Sequence, residues 1–318
     1  MRRQFLKALA IAGLGHSCAW SRPLPKSIRI IVPGGAGGPI DVQARVLAQE
    51  LQPLLGTSIY VENKPGAAGL IGGGEVARAA PDGATLLYSP DYIVTQAPHA
   101  LKRMSFDPYT GLVPIARVSE LAPVLLAGKA APFSTLPEML ADAKAHQDEV
   151  SYASWGTGTG AHIYGEILAK RNGVRFTHVP YKTSGDAMTD VLTNRVQFTF
   201  QPPAVALQYP GKINAIATAG VVRNPSFPQT PTFLELGQPG FEMGGWLGFY
   251  APKGISADLV KVLHAAINEA TTKASVKAMC GVQGCLLVHE PTEGITEKLR
   301  KDAGKWGAYF AELGIEPQ

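Results

Sequence analysis

Cysteine is scarce in this chain: Cys18, Cys280 and Cys285 are the only three in 318 residues, and no CxxC pair occurs, which leaves a metal or thioredoxin-like role without support. An excess of one charge is lacking too. Lys and Arg number 29 against 25 Asp and Glu, and no like-charge run exceeds a few residues, so nothing resembles a nucleic-acid surface. There is no Gly-x-Ser-x-Gly elbow and no His-Glu-x-x-His, and no two of the seven histidines stand three or four residues apart, so the local signatures of triad hydrolases and zinc enzymes are missing. Solenoid repeats and low-complexity tracts are absent as well.

What is present is material for a core. Apolar residues make up 46% of 318, enough for one large or two medium domains, and 35 glycines with 25 prolines and no collagen period imply many tight turns. The first 21 residues read as an address. Arg2, Arg3 and Lys7 precede an apolar stretch from Ala8 to Leu14, and small residues flank cleavage points after Ala19 or Ser21. The apolar stretch is too short to span a bilayer. Arg2-Arg3-Gln4-Phe5-Leu6-Lys7 resembles a twin-arginine export signal, so the chain is expected in the periplasm. Losing three positive charges with this segment leaves the mature chain close to neutral; Cys18 is expected to go with it, the alternative being a lipid-anchored cysteine, for which Gly15-His16-Ser17 is a poor lipobox. Cys280 and Cys285 are close enough for a small-loop disulfide in an oxidising compartment, though spacing does not settle their geometry.

Strand-like and helix-like segments then alternate. Ser27 to Val32 is β-rich, and after the glycine loop Ile40, Ala44, Leu47, Ala48, Leu51 and Leu55 recur at helical spacing. Thr57 to Glu62 and Ala84 to Tyr88 read as further strands around a helix from Leu70 to Ala80. The pattern restarts after Pro123, with strands at 124–127, 149–153, 175–179 and 195–200 and helices between them. An aromatic strand from Trp246 to Pro252 precedes helices over 256–273 and 292–313. The alternation predicts an α/β chain with parallel sheets in two lobes: 22–121 plus 247–318, and 122–246. The closing helices have no sheet of their own and are expected to return to the first lobe. Crossings near 118–124 and 232–247 would form the hinge.

Three loops carry candidate chemistry. Gly34 to Asp41, between a strand end and a helix start, exposes backbone N–H groups and a helix dipole to an anion. Asp41 reads either as a helix-start cap or as a ligand contact. The loop matches neither the dinucleotide fingerprint nor a Walker A sequence, so no cofactor is expected. Ser154-Trp155-Gly156-Thr157-Gly158-Thr159-Gly160-Ala161-His162 offers hydroxyls and amides to a carboxylate without fixed charge, His162 being either a contact or a packing residue. The loop from Val179 to Asp186 would meet the second one at a shared sheet edge, with Tyr181 lining the crevice. Ser154, His162 and Asp186 can be assembled on paper into a hydrolase triad, with no spacing rule behind the assembly.

The stretches IRIIVPGGAGGPIDVQARVLAQELQPLLG, VENKPGAAGLIGGGEVARAAPDGATLL, SFDPYTGLVPIA, VPYKTSGDAMTDVLTNRVQFTF and PTFLELGQPGFEMGGWLGFYAPKGI resemble the substrate-binding receptors of tripartite tricarboxylate transporters, the Bug family, from about Ile28 onward. The resemblance implies a type II periplasmic-binding-protein fold, two Rossmann-like lobes joined by a two-crossing hinge around a ligand cleft. It implies capture of a small organic acid, no catalysis, and delivery to membrane transporter subunits by a monomer; a sensing receptor is the alternative. Carried onto this chain, the first-lobe grip falls on Gly37, Gly38, Pro39, Ile40 and Asp41. The second-lobe grip falls on Ser154, Gly156, Thr157, Gly158 and His162, with Tyr181, Thr183 and Ser184 beside them. Three departures stand out. Gly34 replaces a pocket aromatic, Thr183 replaces a glycine, and Asp91 would set a negative charge near the cleft, able to receive an ammonium group. Trp155 and Trp246 would supply replacement aromatic surface, pointing to an aromatic or amino-bearing acid.

Overall fold

The computed structural model describes residues 24–181 and 183–317. The export segment 1–21, Cys18 and Lys182 lie outside them.

Strand β1 (Ser27–Val32) shows why the sequence begins as it does. Ile28, Ile30 and Val32 enter one apolar cluster and Ile31 enters another, all with no exposure, so β1 is a central strand covered on both faces. Helix α1 (Pro39–Leu55) lays Ala44, Leu47, Ala48, Leu51 and Leu55 on the first of these faces. It ends where Gly56 turns left-handed at φ 62° and its N–H closes on the Gln52 carbonyl.

The first lobe continues through β2 (Ser58–Asn63), α2 (Leu70–Ala77), β3 (Thr85–Pro90), α3 (Tyr92–Thr95), α4 (Ala97–Ala100), α5 (Pro108–Gly111) and β4 (Leu112–Leu121). The chain then crosses. The second lobe holds β5 (Val124–Gly128), α6 (Leu136–Ala145), β6 (Ser151–Ser154), α7 (Gly160–Asn172), β7 (Thr177–Pro180), α8 (Ser184–Leu192), β8 (Phe198–Gln201), α9 (Pro203–Ala206) and β9 (Ile213–Thr218). It returns with β10 (Gly245–Pro252), α10 (Ala257–Thr271), α11 (Ala274–Gln283), β11 (Leu286–Leu287) and α12 (Thr292–Leu313). The first sheet has the order β11-β4-β10-β3-β1-β2 and the second β7-β6-β8-β5-β9.

The sheets are mixed, not parallel as the alternation predicts. The reason is the double crossing: β10 re-enters the first lobe from the hinge and runs antiparallel to both β3 and β4, and β5 enters the second lobe antiparallel to β8 and β9. The last helix also departs from expectation. Ile295 and Leu299 of α12 pack into the first lobe, whereas Trp306 and Phe310 join the second-lobe core, with the Trp306 ring 5.6 Å from that of Tyr164. The helix is therefore an interlobe tie. A second tie lies at Cys280 and Cys285, which are bonded to each other with Cα atoms 5.0 Å apart. The loop they close offers the Gly284 carbonyl to the Asn224 amide of the other lobe at 2.8 Å.

Candidate ligand-binding site

Strand direction decides where the glycine loops go. β1 and β3 are parallel, and β4 shares their direction because both β3 and β4 oppose β10, so these strands end on one edge. β4 ends at Leu121 and β5 begins at Val124, on the edge where the parallel strands β6, β7 and β8 end. The two sets of strand ends thus face each other across the hinge, the position at which open α/β sheets bind ligands. Contact across it is close. A side chain at Gly158 would begin 2.9 Å from Cβ of Ala100, and one at Gly160 would begin 3.6 Å from Gln96 Oε1.

In the first-lobe loop, Asp41 is only 2% exposed. Its Oδ2 accepts from the Gly37 amide at 2.8 Å and from Arg45 Nε at 3.0 Å, and its Oδ1 accepts from Asn63 Nδ2 at 2.9 Å. Burial pushes its pKa up, but hydrogen bonds from Arg45, Gly37 and Asn63 outweigh burial and hold the carboxyl below its ordinary range. The side chain is therefore spent on shaping the loop, and the reading as a ligand contact through its carboxylate is set aside. Gly37, at φ 77°, makes the turn that brings its amide to Asp41. With Pro39 at the helix start, the amides of Ile40 and Asp41 open α1 with no acceptor among the described residues.

The second-lobe loop is held from beneath by imidazoles. Ser154 has no exposure and its Oγ is hydrogen-bonded to His178 Nε2 at 2.6 Å and to the Gly156 carbonyl and amide, each at 3.1 Å. His162, only 7% exposed, accepts the Gly158 amide on Nδ1 at 3.1 Å. The two imidazoles lie 4.2 Å apart between centroids, and the Tyr152 ring stacks on His178 at 5.0 Å. Burial lowers the pKa of both to about 4, and for His178 the neighbouring His162 adds to burial while Glu166 opposes it. Tyr152 itself is fixed by Glu166, whose Oε1 accepts its hydroxyl at 2.7 Å. It also rests against Gly165, where any Cβ would begin 2.4 Å from the ring.

Ser154 and His162 are thus buried and hydrogen-bonded within the loop they shape. The paper triad with Asp186 is not assembled, because Asp186 Oδ2 takes the hydroxyl of Thr183 at 2.7 Å. What the loop leaves open is backbone. Thr159 Oγ1 closes on the Gly156 carbonyl at 2.6 Å, and the amides of Gly160 and Ala161 begin α7 without an acceptor among the described residues.

The third loop joins the second directly, through the Tyr181 amide on the Ser154 carbonyl at 2.8 Å. The Tyr181 hydroxyl donates to Asp190 Oδ2 at 2.6 Å, so its polar end points along α8. Thr183 is the cap of α8, accepting the Asp186 amide at 3.1 Å, so its extra hydroxyl serves the helix start. Ser184 follows as the first helical residue.

Two further expectations need correction. Asp91, 2% exposed, accepts the Trp246 amide at 3.0 Å on Oδ1 and the Thr95 hydroxyl at 3.0 Å on Oδ2. It fastens the end of β3 to the returning β10 and leaves no free charge for an ammonium group. Burial drives its pKa up to about 7; the Trp246 amide opposes this and the nearby Asp302 charge reinforces it. Trp246 is 1% exposed beneath Arg117, whose guanidinium carbon lies 5.3 Å from the ring centroid, so it walls no cleft. Trp155 packs, half-buried, against the second-lobe core.

A separate hollow of about 450 Å³ lies behind the hinge between Glu120, Val221, Val222, Met243 and α12, and includes no residue of the three loops. Among the described residues no group of three His, Cys, Asp or Glu side chains could hold a metal ion, and no helix is long and apolar enough to cross a membrane.

The chain is similar throughout to known binding proteins. The family model described as "Tripartite tricarboxylate transporter family receptor" matches residues 43–314. Protein BugT of Bordetella pertussis is 32% identical over 315 residues, covering 97% of this chain and 95% of BugT. The solved periplasmic binding protein BugD is 32% identical with a TM-score of 0.79, covering 92% of this chain and 99% of BugD. MatC from Rhodopseudomonas palustris, solved with bound malate, is 29% identical with a TM-score of 0.77 over 89% of this chain and 98% of MatC. The two-lobe fold is thus shared along almost the whole chain, which belongs to the tripartite tricarboxylate transporter receptor family, the Bug-type periplasmic binding proteins.

Proposed function

We propose that this chain is exported to the periplasm by its twin-arginine-like segment, captures a small organic acid between its lobes, and delivers it to the membrane subunits of a tripartite transporter without transforming it. The observation that carries the reading is the set of open helix starts: α1 in one lobe and α7 and α8 in the other present their first amides at facing edges. Such amides, with the positive ends of the helix dipoles, favour a carboxylate without a basic side chain. We assign the grip to the open amides of Ile40 and Asp41 in the first lobe, with Gly37 and Gly38 shaping the turn before them. In the second it falls to the open amides of Thr157, Gly160, Ala161 and Ser184, with Gly156 and Gly158 holding the turn between them.

Closure then follows from contacts that exist only when one ligand touches both lobes. Hydrolysis at Ser154 is disfavoured on this geometry, because the hydroxyl has no exposure and is engaged by His178, Gly156 and the turn between them. The malate bound by MatC supports a carboxylate as the ligand class. A thermal-shift screen of the mature chain against dicarboxylates, tricarboxylates and aromatic acids tests the reading. A raised midpoint with one class, and unchanged compound afterwards, is the expected result; consumption of the compound would replace the receptor with an enzyme.

A further inference from the structure

Helix α11 ends on Gln283, and the turn after it is closed by the Cys280–Cys285 bond and by the Cys285 amide on the Cys280 carbonyl at 3.0 Å. Gln283 reaches back to the start of α1. Its Nε2 donates to the Pro39 carbonyl at 3.1 Å, and its Oε1 accepts from Gln43 Nε2 at 2.6 Å. Gln43 Oε1 in turn accepts the hydroxyls of Tyr88 at 2.7 Å and Ser119 at 3.1 Å. The Pro39 carbonyl can only accept, and this fixes the direction of the whole row: Gln283 presents nitrogen to Pro39 and oxygen to Gln43.

Both glutamines are buried, so both need partners. Yet the row does not end in the core; it ends at an exposed residue, Pro39, in the first turn of α1. Proline has no N–H, which makes Ile40 the first amide that this helix offers. The Ile40 N–H belongs to the same planar trans peptide as the Pro39 carbonyl, so holding the oxygen also aims the hydrogen. A hydrogen bond on that carbonyl polarises the peptide and strengthens its N–H as a donor.

We propose that Gln283 is a positioning residue for ligand capture: from its disulfide-closed turn it aims the Ile40 N–H at the bound carboxylate. The inference rests on the carboxylate-capture reading. The mature chain is titrated by calorimetry with succinate, malate, citrate, glutamate and benzoate, and 1H–15N spectra are recorded with the tightest binder. Gln283→Met, which keeps the length of the side chain but cannot donate, binds that acid about fivefold more weakly. In the unaltered chain the acid moves the cross-peaks of Ile40 and Ala161, one from each lobe. At saturation in the variant the Ile40 displacement falls by about half or more, while that of Ala161 is kept. Gln283→Glu sets an oxygen against the Pro39 carbonyl, lowers affinity at least as far, and serves if the first variant does not fold. Replacing both Cys280 and Cys285 by Ser lowers affinity by a smaller factor.

Affinity within about twofold of the unaltered chain in a folded Gln283 variant overturns the inference and leaves the capture reading in place. So does an equal loss of displacement at Ile40 and Ala161, which marks a general loosening of the protein. Unchanged affinity in the serine pair removes the disulfide from the role. Binding of none of the acids overturns the capture reading and this inference with it.

Discussion

Ser154 Oγ and His178 Nε2 stand 2.6 Å apart beneath a loop whose own side chains make few outward contacts. The pairing explains why a loop rich in hydroxyls presents backbone: its serine is held inward, and the turn above it is set by Gly156 and Thr159.

Replacing His178 by Ala is expected to weaken ligand binding about tenfold, because the Ser154 hydroxyl and the turn lose their fixed partner. His178→Gln, which can still meet Ser154, restores most of the affinity. Calorimetry on both variants separates loop positioning from a general loss of fold, which thermal unfolding reports independently.

The buried charges predict opposing pH dependences. His162 and His178 are held neutral to about 4, below the ordinary 6.5, so the unfolded chain binds more protons in that window and stability falls as pH drops through it. The groups around them are Tyr152, Glu166 and Ser154. Asp91 acts the other way. Its pKa of about 7 against an ordinary 3.8 means the folded chain holds the extra proton, so this contribution is present at low pH and is lost as pH rises toward 7. Asp91→Asn keeps the shape but removes the opposing slope, so urea unfolding between pH 4 and pH 7 rises more steeply with pH in the variant. Parallel curves for the two proteins would contradict the buried-acid account.

Trp306→Ala is expected to cost about 3–5 kcal/mol, as for other large buried aromatic truncations. The loss falls on both lobes, since α12 enters both cores. Chemical unfolding monitored by near-UV circular dichroism checks the magnitude.

Changing Cys280 and Cys285 to Ser frees the turn that presents the Gly284 carbonyl to Asn224. A loop this short predicts a stability loss of about 2 kcal/mol under oxidising conditions. Asn224→Ala, which spares the bond, leaves a smaller loss that does not depend on reductant.

The strand, glycine loop and helix at 27–55 were legible because β1 is uniformly apolar and α1 carries a clean stripe. β4 was not, since Pro114, Arg117 and Glu120 interrupt its pattern. Arg117 is 4% exposed and is paired both with Glu120 and with Glu290, 173 residues later, at 2.9 Å. α11 was missed for a related reason: Gly281 and a weak apolar face give it little helical signature, and it is held by packing on α1 and α9. Among site residues, the strand-to-helix positions of the three loops were legible, whereas the hydrogen bonds that occupy Asp41, Ser154, His162 and Asp91 were not. Each of those side chains takes partners brought together by the fold. His178 gave no local signal, being one of two polar residues in a short strand.

The central claim is that open backbone amides of both lobes grip a carboxylate. Titration calorimetry comparing each acid that shifts the melting midpoint with its neutral primary amide tests it most directly, because the amide keeps size and shape but loses the anion. The account predicts binding of the acid and at least a hundredfold loss, about 3 kcal/mol or more, for the amide; equal affinity for the two would contradict it.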